Sequence, residues 1–190
     1  EQEEERISDK KVAAFYYGWY SNSTDYSQST PFLVEDDTNW HHWANGTEPP
    51  EDATNDYVNS RWTPNQRWFD SADPSVIETH LNQAEWAGID AFIVSFWGEG
   101  FEFDNFKTML RVASHIDSNL KFTLYLESSR YKELGVSEAI TKLTAELGTI
   151  YDYFTDENQN PQKDLIWTYN DTPVLFTYVS HFIDDYVWTN

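Results

Sequence analysis

Four apolar runs of strand length recur along the chain, and between them lie segments whose apolar residues repeat at helical spacing. The runs are Val12–Tyr20 (VAAFYYGWY), Asp90–Trp97 (DAFIVSFW), Lys121–Glu127 (KFTLYLE) and Pro173–Val179 (PVLFTYV). Each is nearly continuous in apolar character, the pattern of a strand covered on both faces. After the first run, Asp73-Pro74 opens a helix, with Asp as N-cap and proline at the first helical position. Ile77, Leu81, Ala84 and Gly88 follow at spacings of four, three and four, one stripe of a helix lying on a sheet. Gly88 suits the C-terminal cap. Asp104 is the expected N-cap of a second helix, with Phe106, Met109 or Leu110, Ala113 and Ile116 inward. A third helix starts near Ser137 and turns Ile140, Leu143, Leu147, Ile150 and Phe154 inward.

The order β-loop-α-β-α-β-α-β predicts an α/β fold with a parallel sheet and right-handed crossovers. An open doubly wound sheet and a closed barrel begin alike. Gly18 and Gly98 stand alone after their strands, so no glycine-rich phosphate loop supports a nucleotide-binding sheet. Polar and aromatic strand ends suit the mouth of a (β/α)8 barrel of the TIM type. A full barrel has eight βα units over about 250 residues. About four are present in these 190 residues. The expected organisation is a polar lead-in at 1–10, then the N-terminal half of a barrel at 11–190 with a long irregular loop at 21–72. A half barrel has two open sheet edges, so self-association or pairing with the missing barrel half is expected.

Charge and composition exclude several classes. The chain carries 33 acidic and 12 basic residues, a net charge of −21. That field repels phosphate backbones and anionic headgroups, so nucleic acid is not an expected partner. The longest strongly apolar stretch, around Ala91 to Trp97, is too short for membrane insertion. The opening Glu-Gln-Glu-Glu-Glu lacks Met and any apolar signal segment, as a processed mature end would. There is no cysteine, hence no disulfide and no thiolate metal site. High charge with low hydropathy suggests disorder, yet 12 Tyr, 12 Phe and 9 Trp mark a folded chain. Sequons at Asn22, Asn45 and Asn170, the last closely followed by Pro173, point to glycosylation, chiefly at Asn22 and Asn45. With the acidic surface they predict an extracellular or cell-surface location.

The strand ends carry the candidate site. The first delivers Tyr17, Trp19 and Tyr20, the loop after it His42 and Trp43, the second Trp97, the third Glu127 and the fourth Tyr178. Flat π-surfaces stack on the C–H faces of pyranose rings, and neighbouring polar groups bond the hydroxyls, so these residues are expected to bind a glycan or polysaccharide. Glu127, at the mouth end of a buried strand, is the acid expected to touch sugar, in an assisting role; its structural alternative is a carboxylate bonded to backbone or to Arg130. Glu99 and Glu102 read as solvated loop acids, and His80 as a packed or exposed helix residue. His41 and His42 are adjacent and diverge in an extended segment, a poor metal pair. Asp156, Asn158 and Asn160 outline a calcium loop, but Pro161 stands where glycine is required and Trp167 where the bidentate Glu belongs. No metal site is expected.

The ordered set FYYGWY, HHW, DPSVIETHLNQAEWAGIDAFIVSFWG, KFTLYLE and PVLFTYV resembles the endo-α-mannosidase and endo-mannanase family of glycoside hydrolases, family ninety-nine. The resemblance runs from about Val12 to Ile183. It implies a (β/α)8 barrel that cleaves internal α-mannosidic bonds with retention and needs no organic cofactor. It also matches Glu127 to the glutamate that ends the family's third strand, a binding or assisting residue. Gly18 departs from the proline common in the family's first motif. The family's catalytic glutamates lie on a Glu-x-x-Glu-type motif in the later half of the barrel, beyond Asn190, and are not carried over. Two functions follow as expectations: a fragment of a retaining endo-α-mannosidase, or a non-catalytic glycan-binding or assembly protein that keeps a half barrel. For these 190 residues alone, the expectation is binding without turnover.

Overall fold

A computed structural model describes residues 10–20 and 69–178. Its elements, in chain order, are β1 (Ala13–Tyr16), α1 (Pro74–Trp86), β2 (Ala91–Phe96), α2 (Phe101–His115), β3 (Lys121–Glu127), α3 (Val136–Thr155), β4 (Thr168–Tyr169), β5 (Thr172–Pro173) and β6 (Phe176–Tyr178). The main sheet is wholly parallel with strand order β1-β2-β3-β6. Each new strand is added on the same side as the last. A doubly wound sheet reverses direction at a switch point and places helices on both faces. Here there is no reversal, and all three helices pack into one core with one face of the sheet. That is the winding of a barrel, present as a partial one.

Register assigns the two faces. Val94 lies beside Tyr16 and Leu124, and Phe92 beside Ala14 and Phe122. Because strand side chains alternate, the even-numbered residues of β2 and β3 point one way. Phe92, Val94, Phe96, Phe122, Leu124 and Leu126 form the core with Ile77 and Leu81 of α1, Phe106 and Leu110 of α2, and Leu143, Ile150 and Phe154 of α3. Leu110, Phe122 and Leu124 are wholly buried. The odd-numbered residues face away from the helices, into the barrel interior.

The first helix follows its signals closely. Asp73 accepts from the Ser75 amide at 2.8 Å, Pro74 opens the helix, and Gly88 takes φ +75° just past its end. Three boundaries differ from expectation. β1 stops at Tyr16, because its register with β2 runs out at Val94, and Tyr17 to Tyr20 leave the sheet. The second helix starts at Phe101 with Gly100 as N-cap. Asp104 is not its cap: its amide already bonds the Gly100 carbonyl at 2.9 Å, and with Glu102 its carboxylate lies in the first turn, where the helix dipole favours negative charge. The fourth strand begins only at Phe176, since Thr172–Pro173 turns back on Thr168–Tyr169 as a hairpin; it is described to Tyr178, and Val179 lies outside the described residues. Asn170 and Asp171 form its turn, with φ of 49° and 61°, residue types that tolerate the left-handed region.

Most of the loop expected at 21–72 lies outside the described residues. Its two ends, however, meet: the Ser71 amide donates to the Tyr20 carbonyl at 2.8 Å and the Tyr20 amide to Ser71 Oγ at 3.1 Å. Among the described residues, no helix is long and apolar enough to cross a membrane.

Candidate functional site at the mouth of the strands

Side chains from all four parallel strands meet at their C-terminal ends, on the face away from the helices. Glu127 is the last residue of β3, buried to 4% exposure. Ser95 of β2 pairs in register with Tyr125, and its hydroxyl donates to Glu127 Oε1 at 3.3 Å. The Tyr125 hydroxyl lies near enough to Glu127 and Tyr17 for both to act on its titration. The Tyr125 ring is flanked by Phe15 at 5.2 Å and Tyr178 at 5.5 Å.

Above this polar centre stands an aromatic wall. Tyr17 stacks on Trp19 with ring centres 4.6 Å apart and planes at 27°, and Trp19 lies 6.3 Å from Trp97. Tyr17, Trp97 and Tyr178 are 37%, 39% and 51% exposed, so their faces remain open to a ligand. The turn that presents Tyr17 and Trp19 is fixed from α2: Asn105 Nδ2 donates to the Gly18 carbonyl at 2.7 Å, with both residues buried.

Electrostatics follow from burial. Desolvation pushes the Glu127 carboxyl above the ordinary carboxylate range, against the hydrogen bonds from Tyr125 and Ser95 and the charge of Arg130. Burial and the Glu127 charge raise the Tyr125 phenol far above its usual value, so it stays a neutral donor at any working pH. A carboxyl with a raised pKa, bonded to the Ser95 hydroxyl inside an aromatic mouth, is equipped to exchange hydrogen bonds with a polyol.

Of the expected site residues, the fold brings Tyr17, Trp19, Trp97, Glu127 and Tyr178 together. Tyr20 is placed otherwise: its ring packs on Phe69 at 5.7 Å, and Phe69 in turn contacts His80 on the α1 side. His42, Trp43, Asn22 and Asn45 lie outside the described residues. His80 is a packed residue, its Nδ1 3.0 Å from the Tyr16 hydroxyl. Glu99 accepts from Thr149 at 2.8 Å on the outer surface. Asp156 Oδ1 accepts from the amide and side chain of Asn158, and Asn160 Oδ1 from the Gln162 amide, so these oxygens serve as turn caps. Arg130 does not pair with Glu127; its guanidinium goes to Glu146, Tyr131 and the Trp97 carbonyl. Ser95 and Tyr125 also belong to the polar and aromatic strand ends that the sequence offers for sugar contact, and alternation by two back from Glu127, with one step of register across to β2, singles them out.

The model of the family described as Glycosyl hydrolase family 99 matches residues 7–190. The chain belongs to that family. Family 99 proteins act on glycans, which agrees with the mouth just described. The chain is similar to the mouse glycoprotein endo-alpha-1,2-mannosidase, with 25% identity over 192 residues, covering 93% of this chain and 38% of the relative. Two solved structures of a GH99 endo-alpha-mannosidase from Bacteroides thetaiotaomicron share the fold. One, in complex with BIS-TRIS-propane, gives a TM-score of 0.65 at 20% identity over 95% of this chain and 46% of that one. The other gives 0.56 at 19% identity, over 95% and 49%. The chain therefore spans less than half the length of each of these family 99 relatives.

Proposed function

We propose that this chain supplies the sugar-binding half of a retaining endo-α-mannosidase barrel, gripping α-mannosidic glycans at the strand ends. The observation that carries the reading is the placement of Glu127, buried, bonded by Ser95 and neighboured by Tyr125, beneath the wall of Tyr17, Trp19 and Trp97. In this reading the rings stack on the sugar faces. Glu127 and its hydroxyl neighbours bond the sugar hydroxyls, an assisting role.

Retaining cleavage uses two carboxyl groups about 5–5.5 Å apart. Among the described residues, the groups that shift the titration of Glu127 are Tyr125, Ser95 and Arg130. Hydrolysis is therefore proposed for the whole barrel, and glycan binding for this half. A second reading is a non-catalytic glycan-binding or assembly protein. Among the described residues β1 and β6 are the outer strands of the sheet, an arrangement that suits docking with a complementary half or self-association. An extracellular or cell-surface location is supported by the sequons at Asn22 and Asn45 and by the charge of −21.

Calorimetric titration of the full chain with α-1,2-linked mannotriose tests the reading. Binding that falls about tenfold or more in Trp97→Ala, and again in Glu127→Ala, is expected. Equal affinity in wild type and both variants would place the sugar elsewhere. Release of a shorter oligosaccharide separates hydrolysis from binding.

A further inference from the structure

Trp97 directly follows β2 and Glu127 ends the neighbouring β3, and one side chain lies between their surroundings. Arg130 lies three residues beyond Glu127, on the short 3-10 turn Ser128–Tyr131. One terminal nitrogen, Nη1, donates to the carbonyl of Trp97. The other, Nη2, donates to Glu146 Oε2 and, at 3.1 Å, to the Tyr131 hydroxyl, which itself donates to the same carboxylate oxygen. The guanidinium also sits 5.6 Å from the Phe96 ring and 5.0 Å from the Tyr131 ring. Both members of the Arg130–Glu146 pair have side chains only 12% exposed, so water competes weakly for them. Glu146 belongs to α3, which ties the arrangement to the packed core.

The chain beside this network is shaped to admit it. Gly98 follows Trp97 with φ +109°, and a Cβ there would stand 2.7 Å from Arg130 Nη1. A side chain at this position would crowd the guanidinium where it meets the Trp97 carbonyl, and the φ itself favours glycine. A planar fork is needed as well: Arg130 serves acceptors in two directions at once, which a single ammonium does poorly.

We propose that Arg130, clamped by Glu146 and Tyr131, is a positioning residue that fixes the Trp97 backbone and so sets the spacing between the Trp97 ring and the Glu127 carboxyl. It does not touch the glycan; it acts through Trp97. The inference builds on the glycan-binding reading of the mouth, and its test separates the two.

In the full chain labelled with 5-fluorotryptophan, Trp97→Phe identifies the Trp97 fluorine resonance. Arg130→Lys keeps the charge near Glu127 and is expected to shift or broaden that resonance. It is also expected to weaken α-1,2-mannotriose binding by about tenfold, with the loss vanishing in a Trp97→Ala background. Glu146→Gln should act in the same direction, more mildly, and carries the same measurements if Arg130→Lys does not fold. A Trp97 resonance unmoved by either variant overturns the proposal, as does a binding loss that persists in full without Trp97. If the wild type binds no mannotriose but the resonance still responds, the positioning role stands and the glycan reading falls.

Discussion

Ser95 and Glu127 come from adjacent parallel strands, 32 residues apart, and meet in a buried hydrogen bond of 3.3 Å. The contact helps an acid persist where burial disfavours its charge, so the site carries a stability cost that substitution can expose.

Glu127→Gln should therefore raise thermal stability at neutral pH while weakening sugar binding. The folded-state pKa of Glu127 lies above its unfolded value. In the window above the ordinary carboxylate value the unfolded chain ionises more readily, so the wild type loses stability as pH rises. The advantage of Glu127→Gln should accordingly shrink as pH falls toward about 4.3 and below, where both states are protonated. Melting curves across that range check the sign. A variant less stable than wild type at neutral pH would show that the acid is held by its bonds rather than strained by burial.

His80 should titrate in the opposite sense. Burial beside Tyr16 and Phe69 lowers its pKa in the folded chain. Once pH drops below about 6.5, the unfolded chain takes up a proton that the folded chain resists, and stability falls. His80→Gln, which keeps a polar partner for Tyr16, should flatten that part of the curve. Paired denaturant titrations at about pH 7.5 and 5.5 measure it; parallel losses in wild type and variant would assign the acid sensitivity elsewhere.

Asn105→Ala should weaken both fold and site. The substitution leaves the buried Gly18 carbonyl without its 2.7 Å donor. A cost of about 1–3 kcal/mol is expected. Because Gly18 lies between Tyr17 and Trp19, sugar affinity should drop as well, readable by calorimetry at a temperature where the variant remains folded.

Asp73→Ala should be purely a stability variant. Loss of the cap on the Ser75 amide is expected to cost about 0.5–2 kcal/mol. Mannotriose affinity should stay at the wild-type value, since α1 packs on the far face of the sheet. A change in affinity would mean that the mouth and α1 communicate.

The fold was legible where local chemistry and burial agree. β3 runs from Lys121 to Glu127 as its sequence indicates, and α1 carries its cap, its stripe and its glycine stop in the expected places. Legibility failed where two local signals compete. Asp104 has the chemistry of a cap, but Phe101 and Phe103 extend the apolar helical face one turn earlier, and Phe103 is buried. Thr172–Pro173 continues an apolar run, yet Asn170-Asp171 before it forms a tight turn that consumes the segment in a hairpin. In the site, bulky strand-end residues were visible singly. Ser95 and Tyr125 are visible in the same way, but their pairing with each other and with Glu127 lies in register across strands, which no single run of sequence displays. Arg130 was legible only as a neighbour of Glu127; its partner Glu146 comes from a helix whose rotation the sequence leaves open.

The two hydrogen bonds that join Tyr20 to Ser71 make the sheet and α1 largely indifferent to the length of chain between them. Between two pinned ends, each doubling of chain length costs only about 0.6 kcal/mol in closure entropy. A change in the number of residues between Tyr20 and Ser71 is therefore expected to leave the sheet and α1 near their wild-type stability.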